Sequence, residues 1–205
     1  MHTRHAAGFP GHQPRVLSGA GDEEAFETEA SPPAVAGPLL LDTATGPESV
    51  AASLVRLAAA AAAVMAANIR VPVECGLVVL QPSRPAQILG TSAAAARLLE
   101  WELAAQQGPA SAVLSGGHPV AALQGNGDLR WPQYAVQMYD AGLASSLAVR
   151  LRLDCCREWQ DTRAALTFNS RNPRGLALEV IAAARFLAVP AARGLEGVLD
   201  GAVRA

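Results

Sequence analysis

The chain contains no lysine; all 16 of its basic residues are arginine. Set against 18 acids they leave a formal net charge of −2 and a pI near 6.1. That balance excludes the dominant basic footprint expected of a nucleic-acid or anionic-membrane binder. Cysteine is scarce: Cys75, Cys155 and Cys156 make an odd count with two adjacent members. This is not a disulfide framework. No CxxC pair and no Cys/His spacing suited to zinc occurs, so no metal site is expected. A reducing cytosol is the simplest setting. The N-terminus lacks the charged-then-apolar layout of a secretory leader. The longest apolar run, 57–67, is mostly alanine and too short to cross a bilayer. These absences predict a soluble cytoplasmic protein. Aromatics number nine, and a chain this poor in rings places them where area and shape matter.

What the chain has is apolar residues, 51% of the whole, and many of these are alanine. At 205 residues this suits one domain with appendages. Residues 1–44 mix Gly, Pro, His and an acidic cluster (Asp22, Glu23, Glu24, Glu27, Glu29) without apolar periodicity. They read as a disordered tail, because they bury too little to offset the entropy of ordering. Three of the four histidines (His2, His5, His12) lie in it.

A domain over 45–190 follows. Thr45-Gly-Pro-Glu48 is a capping signal, and the helical spacing of Val50, Leu54, Leu57, Ala61 and Val64 predicts a helix to about Arg70. Residues 73–80 and 86–91 read as a hairpin. Ser92 caps a helix to about Gln106, Gly108-Pro109 breaks it, and a short helix 110–114 leads to a brief strand 118–123. Residues 131–141 read as a helical crossover. The run 145–153 alternates as a half-buried antiparallel strand, and 164–170 is its partner. A helix over 174–188 is expected to stop at Pro190, leaving 191–205 as a short helical tail. Antiparallel strands with helices gathered around them make an α+β sandwich.

Three of the nine rings, Trp131, Tyr134 and Tyr139, fall in Asp128-Leu-Arg-Trp-Pro-Gln-Tyr134 and the residues just after it, before Gly142-Leu-Ala-Ser-Ser-Leu-Ala-Val-Arg-Leu151. With Gly108-Pro109, Gly117-His-Pro-Val120 and Ala164-Ala-Leu-Thr-Phe-Asn-Ser170, this stretch resembles the GAF domains of actinobacterial GAF–ANTAR regulators. The likeness spans about 47–190 and is most specific over 108–151. It implies a GAF-like, PAS-related antiparallel sheet of five to six strands flanked by helices. Departures are Ala110, where the family usually has cysteine, and the long 154–161 connection. About fifteen residues follow Pro190, too few for the three-helix RNA-binding ANTAR module. Its antitermination activity is therefore not carried over, and no direct nucleic-acid binding is expected.

The resemblance implies a non-enzymatic sensory or regulatory domain that binds a small molecule or a partner protein. It places a ligand between sheet and crossover, near Trp131, Tyr134, Tyr139 and Ser145. The cyclic-nucleotide signature of GAF domains needs a lysine the chain lacks, and the cofactor stays unknown. Two alternatives stand beside this reading. One is a thiol redox sensor or GAF-fold reductase using Cys155 and Cys156, whose neighbours Arg152, Arg157 and Arg163 would lower a thiol pKa. The other is a ligand-free dimerisation scaffold. The same arginines with Arg150 form a local basic patch. In GAF regulators the terminal helices pair across a two-fold axis, which implies a homodimer through helices 47–69 and 174–188.

Overall fold

A computed structural model describes residues 50–82, 84–123, 130–153, 161–176 and 180–204. The first helix, α1, runs Val50–Ile69 and ends where Arg70 turns left-handed (φ 55°) ahead of Pro72. The hairpin is β1 (Glu74–Leu80) and β2 (Gln87–Gly90). Next comes α2 (Ala93–Ala105), whose Ser92 cap accepts a hydrogen bond from the Ala95 amide. Then follow α3 (Pro109–Gly116), β3 (Val120–Leu123), α4 (Pro132–Asp140), β4 (Ser145–Leu151), β5 (Arg163–Ser170) and α5 (Ile181–Arg204). The N-terminal 1–44 segment, the Thr45–Glu48 cap, Asp128, Cys155, Cys156 and Arg157 lie outside the described residues.

The five strands form one antiparallel sheet in the order β2-β1-β5-β4-β3. This is the α+β architecture expected, with helices on both faces. On one face Leu77, Val79, Leu147, Val149, Leu151, Leu166 and Phe168 meet α1 and α5. On the other, Val78, Ala148 and Ala165 meet α3 through Ala110, Val113 and Leu114. Each large apolar side chain buried this way is worth about 1.5–3 kcal/mol. The alanines contribute less, so α1 is held chiefly by Leu54, Leu57 and Met65. Among the described residues α1 is the one helix long and apolar enough to cross a membrane, although its longest unbroken apolar run is short. Here a third of that helix is buried, on the face that meets the sheet.

Two expectations are corrected. The 145–153 run is not half-buried. Ser146 and Ala148 are as buried as Leu147, because helices cover both faces of the central strands. Nor does Pro190 end the last helix: α5 runs through it to Arg204. Ala184, Leu187, Ala191, Leu195 and Leu199 form one stripe buried in the α1/α5 core. That burial continues across the proline and outweighs the lost backbone hydrogen bond. Residues 191–199 are therefore core, not an appendage.

Candidate functional site

Two of the three crossover rings, Trp131 and Tyr134, pack together. Gly142 (φ 68°) reverses the chain from α4 into β4, and α4 lies over the sheet on its two buried residues, Tyr134 and Met138. These join Leu98, Ala122 and Leu143, with Trp101 and Trp131 at the rim. Tyr134 is edge-on to Trp131 (centroids 6.5 Å apart) and tilted against Trp101 (6.3 Å). The Arg130 guanidinium stacks 4.6 Å from the centre of the Trp131 ring and donates to the Ala121 carbonyl (2.7 Å), fixing the entry to α4.

Beneath Tyr134 is a row of buried polar groups. The Tyr134 hydroxyl bonds Ser146 Oγ at 3.0 Å. Across the β4–β5 ladder Ser146 faces Asn169, and Ala148 faces Thr167, so Ser146, Asn169 and Thr167 share the face under α2–α4. Asn169 Oδ1 and Thr167 Oγ1 are buried and have no hydrogen-bond partner among the described residues. Native interiors rarely leave such oxygens unpaired, and each costs about 1–3 kcal/mol. The open space here is small. A void of about 10 Å³ lies among Ala122, Leu123, Trp131, Tyr134, Ala135 and Met138.

Of the four residues implicated in ligand binding, Tyr134 and Trp131 come together. Tyr139 is 72% exposed and faces away from them. Ser145 sits on the opposite face of β4 from Ser146, and its hydroxyl donates to the Asn172 carbonyl (2.7 Å), tying the start of β4 to the turn after β5. The residues that sequence reasoning missed are Ser146, Thr167, Asn169, Trp101 and Glu102.

Glu102 did leave a signal, since it shares the helical stripe of Leu98 and Leu99. It is 1% exposed, and its carboxyl accepts the Ala110 amide and, at 3.2 Å, the Ser111 amide at the start of α3. Burial raises its pKa to about 8, while those two amides pull the other way. A Cβ at Gly108, where φ is +129°, would fall 2.6 Å from Glu102 Oε1, so this position requires glycine twice over. Burial, and then the Glu102 carboxyl, push the Tyr134 hydroxyl well above its ordinary pKa. Cys75 is buried beneath α1 and α5, and burial likewise pushes its thiol up. That disfavours the reactive thiolate.

A separate cleft of about 570 Å³ contains no member of the aromatic cluster. It lies between the α3–β3 turn, the end of β4 and the outer face of α5.

No protein-family model matches the chain, and no curated protein does. Among solved structures it is similar to CepR2, an N-acylhomoserine lactone-dependent LuxR family transcription factor from Burkholderia cenocepacia. Identity is 15%, over 71% of this chain and 84% of that one, with a TM-score of 0.47. It is similar to a GAF domain/HD domain protein from Geobacter sulfurreducens (14%, 74% and 95%, 0.47). Escherichia coli SdiA is a third such structure (12%, 75% and 63%, 0.45). These likenesses are too distant to carry a ligand or a family across.

Proposed function

We propose that this chain is a non-enzymatic, cytoplasmic sensory domain of GAF type that acts in signal transduction or transcriptional regulation. It binds a small molecule between the sheet and α4. The observation that supports this reading is the pair of buried oxygens without partners, Thr167 Oγ1 and Asn169 Oδ1, beside the Tyr134–Ser146 hydrogen bond. Pockets for small organic ligands run to about 300–1,000 Å³, far above the void of about 10 Å³ beneath the crossover. Binding therefore requires α4 to lift. Among the described residues two buried side chains and one side-chain hydrogen bond hold it down, so it is the element that gives way. The ligand has an apolar body, matching Trp131, Tyr134 and Met138, and a polar head that donates hydrogen bonds to the two oxygens.

Thr167→Val tests this. It removes an unpaired hydroxyl at nearly constant shape, so the ligand-free protein gains about 1–3 kcal/mol. Native mass spectrometry of the wild type, freshly purified from its own host, shows a bound small molecule that the variant retains poorly. A wild type that carries nothing, and whose melting temperature no fraction of a metabolite extract shifts, refutes the ligand reading.

Exposed apolar residues support dimerisation through α1 and α5. Phe186 is 60% exposed and Val55 38%. We take them as the centre of a two-fold contact that passes α4 movement to a second copy.

A further inference from the structure

We propose a second ligand site, separate from the crossover, in the arginine-lined cleft; it takes a phosphorylated small molecule with an apolar or planar body. Its geometry follows from a mismatch in strand length. β3 pairs with β4 from Val120↔Ala148 to Leu123↔Ser145, while β4 continues to Leu151 against β5. Beyond Ala148 the outer edge of β4 has no strand partner among the described residues. Side chains from both sheet faces therefore reach the same opening. Arg150 comes from β4, Arg152 from just past its C-terminal end, and Arg185 and Arg193 from α5. Gly117 closes α3 in the left-handed region (φ 75°) and passes close to Arg150, where an added Cβ would lie 3.6 Å from Nη1.

Four guanidinium groups thus line one cleft with a single carboxylate, Glu196, among the described residues, in a chain whose net charge is −2. No hydrogen bond or ion pair occupies any of the four guanidinium groups among the described residues. Like charges gathered from the C-terminal end of β4 and from α5 repel one another, and an anion relieves that repulsion. Arginine forks bind phosphate through paired N–H···O bonds. Apart from His118 the remaining wall is apolar, chiefly Pro119 and Val189, which suits a ring or chain attached to the phosphates. At about 570 Å³ the cleft has the size of a small-ligand pocket.

Calorimetric titration of the full chain with ADP, pyrophosphate and adenosine, at low and at physiological salt, tests the proposal. ADP binds, pyrophosphate binds at least tenfold more weakly, and adenosine gives no heat. The double variant R185Q/R193Q, both exposed helix positions, weakens ADP at least tenfold without moving the melting temperature of the free protein. E196Q tightens ADP severalfold by removing the one opposing charge. Thr167→Val, in the crossover site, leaves ADP affinity unchanged, so failure of either site is read independently of the other. Absence of binding by ADP and pyrophosphate at millimolar concentration overturns the proposal. So does equal affinity for the two that collapses with salt, or binding that R185Q/R193Q leaves intact.

Discussion

Glu102 is a carboxyl placed where water cannot reach it, and its titration sets a pH dependence for the whole fold. The native state holds its proton to about pH 8, whereas an unperturbed carboxyl releases it near 4.5. Between those values the unfolded chain binds fewer protons than the native one, so stability falls as pH rises. The contribution is complete below about pH 4.5 and lost through about pH 8. With about 1.4 kcal/mol per pKa unit, the swing amounts to a few kcal/mol. Urea denaturation at pH 5, 6.5 and 8 measures it. In Glu102→Gln, whose side-chain carbonyl still accepts the Ala110 and Ser111 amides, this slope flattens. A slope as steep as in the wild type assigns the pH dependence to another group. The stripe Leu98, Leu99, Glu102 was visible in the sequence. What could not be seen there is that the start of α3, eight residues on, turns back to supply the amides. Ser146 was less legible still: strand alternation separates it from Ser145, but nothing local says which hydroxyl meets a ring.

At the scale of elements, the sequence was informative wherever one residue's chemistry decides a boundary. Ser92 caps α2 and Gly108-Pro109 ends it, as expected, with Pro109 opening α3 and Pro132 in the first turn of α4. It misled where long-range burial overrode local preference. Pro190 breaks a helix by intrinsic propensity, yet α5 continues because Ala191, Leu195 and Leu199 remain in register with Ala184 and Leu187. The proline is therefore tolerated at a cost. Pro190→Ala restores a backbone donor and stabilises the fold by about 1–3 kcal/mol, each kcal/mol being worth roughly 2–4 °C in melting temperature at this size. Calorimetry showing a lower melting temperature would instead mean that the packing of 191–199 relies on a bend at Pro190. The double-sided burial of β4 was likewise hidden, because alanines and serines on its second face read as polar or neutral until α3 and α4 cover them.

At the scale of the molecule, α1 and α5 form one outer layer and α2–α4 the other, with the sheet between. The proposed regulation assigns one task to each: the α4 side admits a ligand and the α1/α5 side meets a second copy. Light scattering at micromolar concentration is then expected to give twice the 21.1 kDa of the chain, and Phe186→Glu to return the monomer while leaving the far-UV spectrum unchanged. A monomeric wild type at high micromolar concentration removes the dimer and leaves the α4 site to be judged by itself.

The short third strand has one more consequence. A stretch of β4 with no strand partner among the described residues is a template on which another chain can lay a strand, and proteins commonly guard such edges with charge. Arg150 lies in the open stretch and Arg152 just beyond it. Their repulsion keeps neighbouring molecules from joining sheet to sheet. Stripping the cleft of Arg150 and Arg152 therefore trades an anion site for a sticky edge, and the resulting chain precipitates as strand-paired assemblies before it loses its fold.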